Sequence, residues 1–210
     1  MEQKYCITIA RQFGSLGRQI GKQLAKELDI AYYDRELLEH AAESMGLPVS
    51  SLADLDDKMS GTFQKMLYPL GISSSATQSK LFEVQKTMIL DAANKSSCVI
   101  VGRAADYILK DYDNVVRIFI HAPQDYRIQR VMDVYGDTPK EARVNIERSD
   151  KARASYYEHI SGTHWGDARN YELTVDSSDG VEKTAQFIVR YITGHLSLIH
   201  ISEPTRRSYI

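Results

Sequence analysis

Cysteine is scarce in this chain, histidine is scattered, charge of neither sign is in excess, and no apolar run is long enough to cross a bilayer. Each shortage excludes something. The two cysteines, Cys6 and Cys98, lie in apolar, β-rich runs, Tyr5-Cys6-Ile7 and Cys98-Val99-Ile100-Val101. They read as two buried thiols in core strands. A metal site needs Cys or His clustered at ligand spacing, and the six histidines form no such cluster. A formal net charge of -2 removes any reason to expect binding to a nucleic-acid polymer or an anionic membrane surface. No stretch approaches the roughly 20 apolar residues of a membrane helix. Met1-Glu2-Gln3-Lys4 leads straight into a strand-like run, so no leader is read and the cytoplasm is the expected location.

What is present is enough apolar material for one sizeable core: 210 residues, 43% hydrophobic. Five short runs rich in Val, Ile, Tyr or Phe read as buried strands, at 5–10, 31–34, 98–102, 115–122 and 171–176. Several are apolar on both faces, as in a parallel sheet covered on both sides. Helix-like stretches separate them, at 17–28, 35–44, 79–95, 124–135, 139–157 and 181–192. Strands alternating with helices predict βαβ units and an α/β sandwich. Residues 48–78, rich in Ser, Gly, Asp and Thr with no clean period, read as an insertion, either a functional lid or an ordinary surface excursion.

The tail is set apart. Leu196-Ser197-Leu198-Ile199-His200-Ile201-Ser202-Glu203-Pro204-Thr205-Arg206 resembles translated sequencing-adapter read-through, so residues 196–210 are expected to be non-native and 1–195 to form one domain.

The chemistry begins at the first strand–helix junction. The run Ile7-Thr8-Ile9-Ala10 passes into Arg11-Gln12-Phe13-Gly14-Ser15-Leu16-Gly17-Arg18-Gln19, where a helix starts. A glycine-rich turn there presents free backbone N–H groups and the positive end of the helix, both suited to phosphate. Gly14 and Gly17 allow the tight turn, and Arg18 adds a fixed positive charge. The Walker A pattern is departed from: Gln12 stands at the first glycine, Arg18 at the lysine, and Gln19 at the Mg²⁺-binding Ser/Thr. Taken alone, the turn fits a phosphate cradle or an ordinary βα turn.

Other groups gather at strand ends. Asp34 closes Tyr32-Tyr33-Asp34, beside the crevice where parallel sheets bind ligands, and could equally cap the following helix. Gly102-Arg103 ends the third strand; Arg103 suits bidentate phosphate binding, or a surface pair with Asp106 or Asp111. Arg148, Asp150 and Arg153 stand out in the charged helical pair spanning the 124–165 lid region, whose other charges read as a solvated face. Trp165, Tyr156 and Tyr157 either stack on a base or pack the lid.

Several of these motifs occur together and in order. The opening run to Gly21, Leu28 to Asp34 with Arg35-Glu36-Leu37-Leu38, Leu81-Phe82-Glu83-Val84-Gln85, Cys98 to Arg103, Asp150-Lys151-Ala152-Arg153-Ala154-Ser155-Tyr156-Tyr157 and Trp165-Gly166-Asp167-Ala168-Arg169-Asn170-Tyr171-Glu172-Leu173 together resemble the cytidylate-kinase-like family. That family is a degenerate-P-loop relative of bacterial cytidylate kinases, and it shares the departures at Arg18 and Gln19. The resemblance implies an α/β P-loop kinase fold, with a five-stranded parallel sheet of order 2-3-1-4-5 and a helical lid. It implies ATP with Mg²⁺ as donor, its phosphates on Gly14, Ser15, Leu16, Gly17, Arg18 and Gln19. A small nucleotide acceptor, CMP or dCMP, would meet Asp34, Gly102, Arg103 and Asp150. Arg18, Arg148, Arg153 and Asp34 would serve catalysis. Two rivals stay open: a kinase of another small molecule on the same scaffold, and a nucleotide-binding regulator with little turnover, to which Gln19 points.

Overall fold

Alternation along the first strand decides which side of the sheet each residue faces. In β1 (Cys6–Arg11), Ile7 and Ile9 enter one apolar layer and Cys6 enters the other. The computed structural model describes residues 4–34 and 75–201. Within them α1 (Gly17–Glu27) follows β1, and β2 (Ala31–Tyr33) follows α1. Next come α2 (Ser75–Lys95), β3 (Cys98–Val101), the single turn α3 (Ala105–Ile108) and β4 (Val115–His121). The chain continues through α4 (Gln124–Tyr135), α5 (Pro139–Ser161), a 3₁₀ turn at Ala168–Asn170, β5 (Leu173–Asp176) and α6 (Val181–Ile201).

All strand pairs are parallel, and the sheet order is β2-β3-β1-β4-β5. The expected architecture and order are therefore those observed. Helices α1 and α6 cover one face, where Ile20, Leu24, Ala185, Ile188 and Ile192 pack on Ile7, Ile9, Val99 and Ile118. Met88, Ile89 and Ala92 of α2, with Leu109, cover Cys6, Cys98 and Ile100 on the other. Burying such residues on both faces stabilises each by about 1.5–3 kcal/mol, so the central strands read as nearly continuous hydrophobic runs. Cys6 and Cys98 are free, buried and opposed in register, with sulfurs 3.6 Å apart.

A third cluster sits outside the two layers. Ile128 and Val131 of α4 and Ala142 and Ile146 of α5 enclose Phe13. The α4–α5 hairpin turns sharply because Gly136 ends α4 at φ 75°, Thr138 and Glu141 form a reciprocal capping box, and Pro139 opens α5.

Boundaries differ most at α2 and α6, and α5 runs four residues past its expected end, to Ser161. Helix α2 begins at Ser75, inside the segment read as insertion; once an apolar helix has nucleated, extending it through Ser and Thr costs only tenths of a kcal/mol per residue. Helix α6 continues to Ile201, past the helix end expected at residue 192 and the domain end expected at 195. The helix expected at 35–44 and most of the 48–78 insertion lie outside the described residues. Among the described residues no helix is long and apolar enough to cross a membrane.

Candidate active site

The turn between β1 and α1 is held from several sides. Gly14 sits at φ 79°, and a Cβ there would come within 3.1 Å of the Arg127 carbonyl oxygen. Both the backbone conformation and the closeness of α4 therefore require glycine. Leu16 is left-handed as well, at φ 61°, a conformation that an L-residue holds only under local constraint. The Ser15 hydroxyl is turned inward, donating to the carbonyls of Gln12 (2.9 Å) and Ile120 (3.2 Å), and Ser177 donates to the Ser15 carbonyl (2.7 Å). With its amide oriented to satisfy both neighbours, Gln19 donates to the Leu16 carbonyl (3.2 Å) and accepts from Arg130 Nη2 (2.7 Å).

The same contacts test the fit of Mg²⁺. The Gln19 oxygen already serves Arg130, and the Ser15 hydroxyl serves two carbonyls. No group of three or more His, Cys, Asp or Glu that could hold a metal exists among the described residues. The turn thus offers the ion no side-chain ligand.

The hairpin grips the turn through Asp150. One carboxylate oxygen accepts from the Phe13 backbone N–H (2.7 Å), and the other pairs with Arg127 Nη1 (2.6 Å), which also donates to the Phe13 carbonyl (3.2 Å). Arg153 lies 3.5 Å from Asp150, donates to the Arg11 carbonyl (3.2 Å) and sits over the Phe13 ring. Burial, outweighing the pull of Asp150, lowers the Arg153 guanidinium to about 10. Asp150, read both as an organiser of the charged helices and as a contact of the acceptor, has both oxygens engaged by protein donors. Arg148 is exposed and does not line the cleft. Five residues of helix rotate it by about 140° from Arg153, so one face of α5 cannot present both.

A cleft opens where the ends of β1 and β3 meet α5. Its charged lining is Arg11, Arg18, Arg103, Arg153 and Asp106, and its aromatic lining is Tyr156, Tyr157 and Trp165. Arg18 stands at the head of α1, where its Nε lies 3.5 Å from Asp34; Asp34 also accepts from the Tyr32 hydroxyl (3.2 Å). Asp34 is 4% exposed, does not line the cleft and lies against Arg18. Arg103 is 8% exposed rather than a surface residue. Gly102, Arg103 and Ala104 are all left-handed, at φ 84°, 60° and 52°. Two successive non-glycine residues in that region store strain of order 1–3 kcal/mol each, a feature that clusters at binding turns.

Arg11 is the site residue that the motif comparison passes over. Its guanidinium lies against Gly102, where a Cβ would come within 2.0 Å of Nη1, and its stem lies against Gly17. Burial lowers its proton affinity well below the ordinary arginine value, and Arg153, Arg18 and Arg103 add to the effect. It remains charged, because a guanidinium is not deprotonated near neutral pH. Arg11 therefore joins the β1 turn to the β3 turn. The signal for it was its place at the carboxyl end of a buried parallel strand. Trp165 meets Phe119 edge-on at 5.3 Å while also facing the cleft, and Tyr156 donates to buried Gln85 (2.9 Å). Packing and lining thus coexist in these aromatics.

Known proteins resemble the chain in sequence and in shape. Cytidylate kinase from Pyrococcus furiosus is 30% identical over 114 residues, 54% of this chain and 58% of that protein. Cytidylate kinase from Pyrococcus abyssi is 28% identical over 114 residues, 54% of this chain and 61% of that protein. The match thus spans little more than half the length of these relatives. A crystal structure of an uncharacterized protein from Eubacterium ventriosum superposes with a TM-score of 0.70 at 27% identity, covering 90% of this chain and 99% of that one. A gluconokinase from Sinorhizobium meliloti superposes with a TM-score of 0.57 at 10% identity, covering 96% of this chain and 100% of that one, a likeness of fold alone. The profile of the Cytidylate kinase-like family matches residues 6–179, and the chain belongs to that family.

Proposed function

We propose that this chain transfers the γ-phosphoryl group of ATP to a nucleoside monophosphate, with CMP and dCMP as preferred acceptors. The observation that carries the reading is the convergence of Arg11, Arg18, Arg103 and Arg153 on one cleft, from the β1 turn, the β3 turn and the hairpin. Four guanidiniums of like sign repel one another unless anions lie between them, and two phosphate-bearing ligands supply those anions. The names of the two archaeal relatives support cytidylate as the acceptor.

In this reading the turn from Gly14 to Gln19 receives the donor phosphates on its backbone N–H groups, and Arg18, steadied by Asp34, bridges their oxygens. Arg103 grips the acceptor monophosphate with its fork. Arg11, touching Gly102, stands between the two and spreads the charge of the group in flight, with Arg153 closing from α5. Positioning and electrostatic stabilisation account for most of such a transfer, and no covalent intermediate is needed.

The test is steady-state kinetics with CMP, dCMP, UMP and AMP at saturating ATP and Mg²⁺. Arg103→Ala should raise the acceptor KM and lower kcat/KM by roughly 30- to 1000-fold, the equivalent of about 2–4 kcal/mol, while leaving ATP binding nearly unchanged. Arg103→Lys should recover only part of the loss. Arg18→Ala should weaken ATP binding, and Lys22→Ala, one turn along and exposed, should do much less. Failure of wild type to phosphorylate any of the four while it binds ATP would refute the reading. A second reading, a nucleotide-binding regulator, is favoured by the Gln19–Arg130 contact, which stands where a metal-binding hydroxyl is usual.

A further inference from the structure

Tyr156 turns its hydroxyl proton away from the chemistry. The residue lines the cleft with Arg103, yet it donates to Oε1 of Gln85 in α2 (2.9 Å). Gln85 is 4% exposed and is not among the cleft residues, so it meets a ligand only through the tyrosine. A tyrosine hydroxyl carries one proton and two lone pairs. With the proton committed to Gln85, only lone pairs remain for the cleft side. Lone pairs repel a phosphate oxygen and attract a cation. The cation at hand is Arg103, whose charge acts on the Tyr156 hydroxyl against the upward push of burial. Arg103 stands in a left-handed conformation between left-handed Gly102 and Ala104, which fixes where its side chain starts but not where its fork points. A planar fork binds a phosphate in bidentate fashion only when it is aimed.

We infer that Tyr156 is a positioning residue for Arg103: Gln85 holds the hydroxyl proton away from the cleft, and the lone pairs so presented aim the guanidinium at the acceptor's phosphate. This rests on the reading of the cleft as the site of a monophosphate acceptor. Tyr156 follows Arg153 by three residues, so one face of α5 carries both. The same helix turn then brings one arginine to the cleft and orients another. Helix α2 reaches the site through Gln85 without touching a ligand.

The experiment is isothermal titration calorimetry on the full chain with CMP and with ATP, joined to steady-state kinetics with CMP. Tyr156→Phe keeps the ring and removes the hydroxyl, and Gln85→Leu keeps the bulk and removes the acceptor of its proton. Each should weaken CMP binding and raise the CMP KM by roughly 3- to 10-fold, the range of one hydrogen bond, while ATP binding changes by less than about twofold. Gln85→Glu, whose carboxylate accepts the same bond, should recover most of the loss. In an Arg103→Ala background Tyr156→Phe should add nothing further, because residues that act through one another are not additive. The two single variants are independent, so if a melting curve shows one to be misfolded the other decides. A role in packing alone would lower the melting temperature and leave the CMP KM where it was, and that result overturns the assignment. An equal loss from Tyr156→Phe with and without Arg103 also overturns it, since the hydroxyl would then act on the ligand directly. Both outcomes leave the monophosphate-kinase reading intact, as wild type still phosphorylates CMP. If wild type binds no CMP, that reading fails and the assignment fails with it.

Discussion

Replacing Asp150 by Ala isolates the clamp between the hairpin and the β1 turn. The substitution removes the 2.7 Å bond from the Phe13 N–H and the 2.6 Å bond from Arg127, and it withdraws the carboxylate 3.5 Å from Arg153. Charge-assisted bonds contribute about 1.5–3 kcal/mol each when buried. The Asp150 side chain keeps 18% of its surface exposed, so solvent screening argues for the lower end, about 3 kcal/mol for the two short bonds together. For a domain of this size 1 kcal/mol shifts the melting temperature by about 2–4 °C, so a loss of about 6–12 °C is expected by differential scanning calorimetry. A second signature separates this from ordinary loss of packing. Without the carboxylate, Arg127 and Arg153 lose their counter-charge beside Arg11 and Arg18. Inorganic phosphate should therefore stabilise the variant by more degrees than it stabilises wild type, and added chloride should recover part of the loss by screening. A drop below about 2 °C, or equal stabilisation of both proteins by phosphate, would refute the clamp.

Three further outcomes are expected. Burial pushes the Asp106 carboxyl up to about 6, against the opposing Tyr157 hydrogen bond and Arg117 charge, so the folded chain binds more protons than the unfolded one between about pH 4 and 6, and stability falls as pH rises through that window. Asp106→Asn escapes that loss and should gain on wild type by up to roughly 3 kcal/mol from pH 4 to pH 7 in urea titrations, whereas a constant difference would contradict the burial argument. Cys6 and Cys98 should react with a thiol reagent only on unfolding, since burial adds to the effect of their mutual hydrogen bond in holding the Cys6 thiol protonated; labelling of the native protein at the unfolded rate would contradict it. Truncation after His195 should leave the melting temperature within about 1 °C, and a larger loss would show that the last turns of α6, which run to Ile201, pack natively.

Strand runs were legible because their residues are apolar on both faces, a pattern that only a covered parallel sheet explains. The order of the sheet was not legible from spacing and came from family resemblance alone. The β1 turn was legible as a strand–glycine–helix junction, but what grips it was not. Asp150 meets the Phe13 N–H across 137 residues of sequence, a separation that no local periodicity encodes. Arg11 escaped notice for a different reason: the motif places its expected cation at the helix start, and Arg11 stands one residue before the turn. Asp106 was read only as a surface partner for Arg103, because charge spacing carries no information on burial. Arg148 was read together with Arg153 from the family pattern, whose register along α5 the sequence leaves open by a residue or two, and the 140° rotation from Arg153 separates the two.

The departures from the Walker A pattern hang together physically. A lysine in that position is a point charge that needs no orientation, whereas an arginine is useful only if its planar fork is aimed. Here Arg18 lies against Asp34, just past the end of β2, so a cation at the head of α1 is held by a strand at the edge of the sheet. Gln19 gives up the metal-binding hydroxyl and instead ties α1 to Arg130 of the hairpin. Arg11 packs on Gly102, joining the two turns from below. The metal-ligating hydroxyl of the common pattern is thus absent, and fixed guanidiniums held by other elements surround the cleft. Arg11, Arg18, Arg103 and Arg153 repel one another. Phosphates entering between them would relieve that repulsion, so in the proposed reaction donor and acceptor would favour each other's binding through the same four charges.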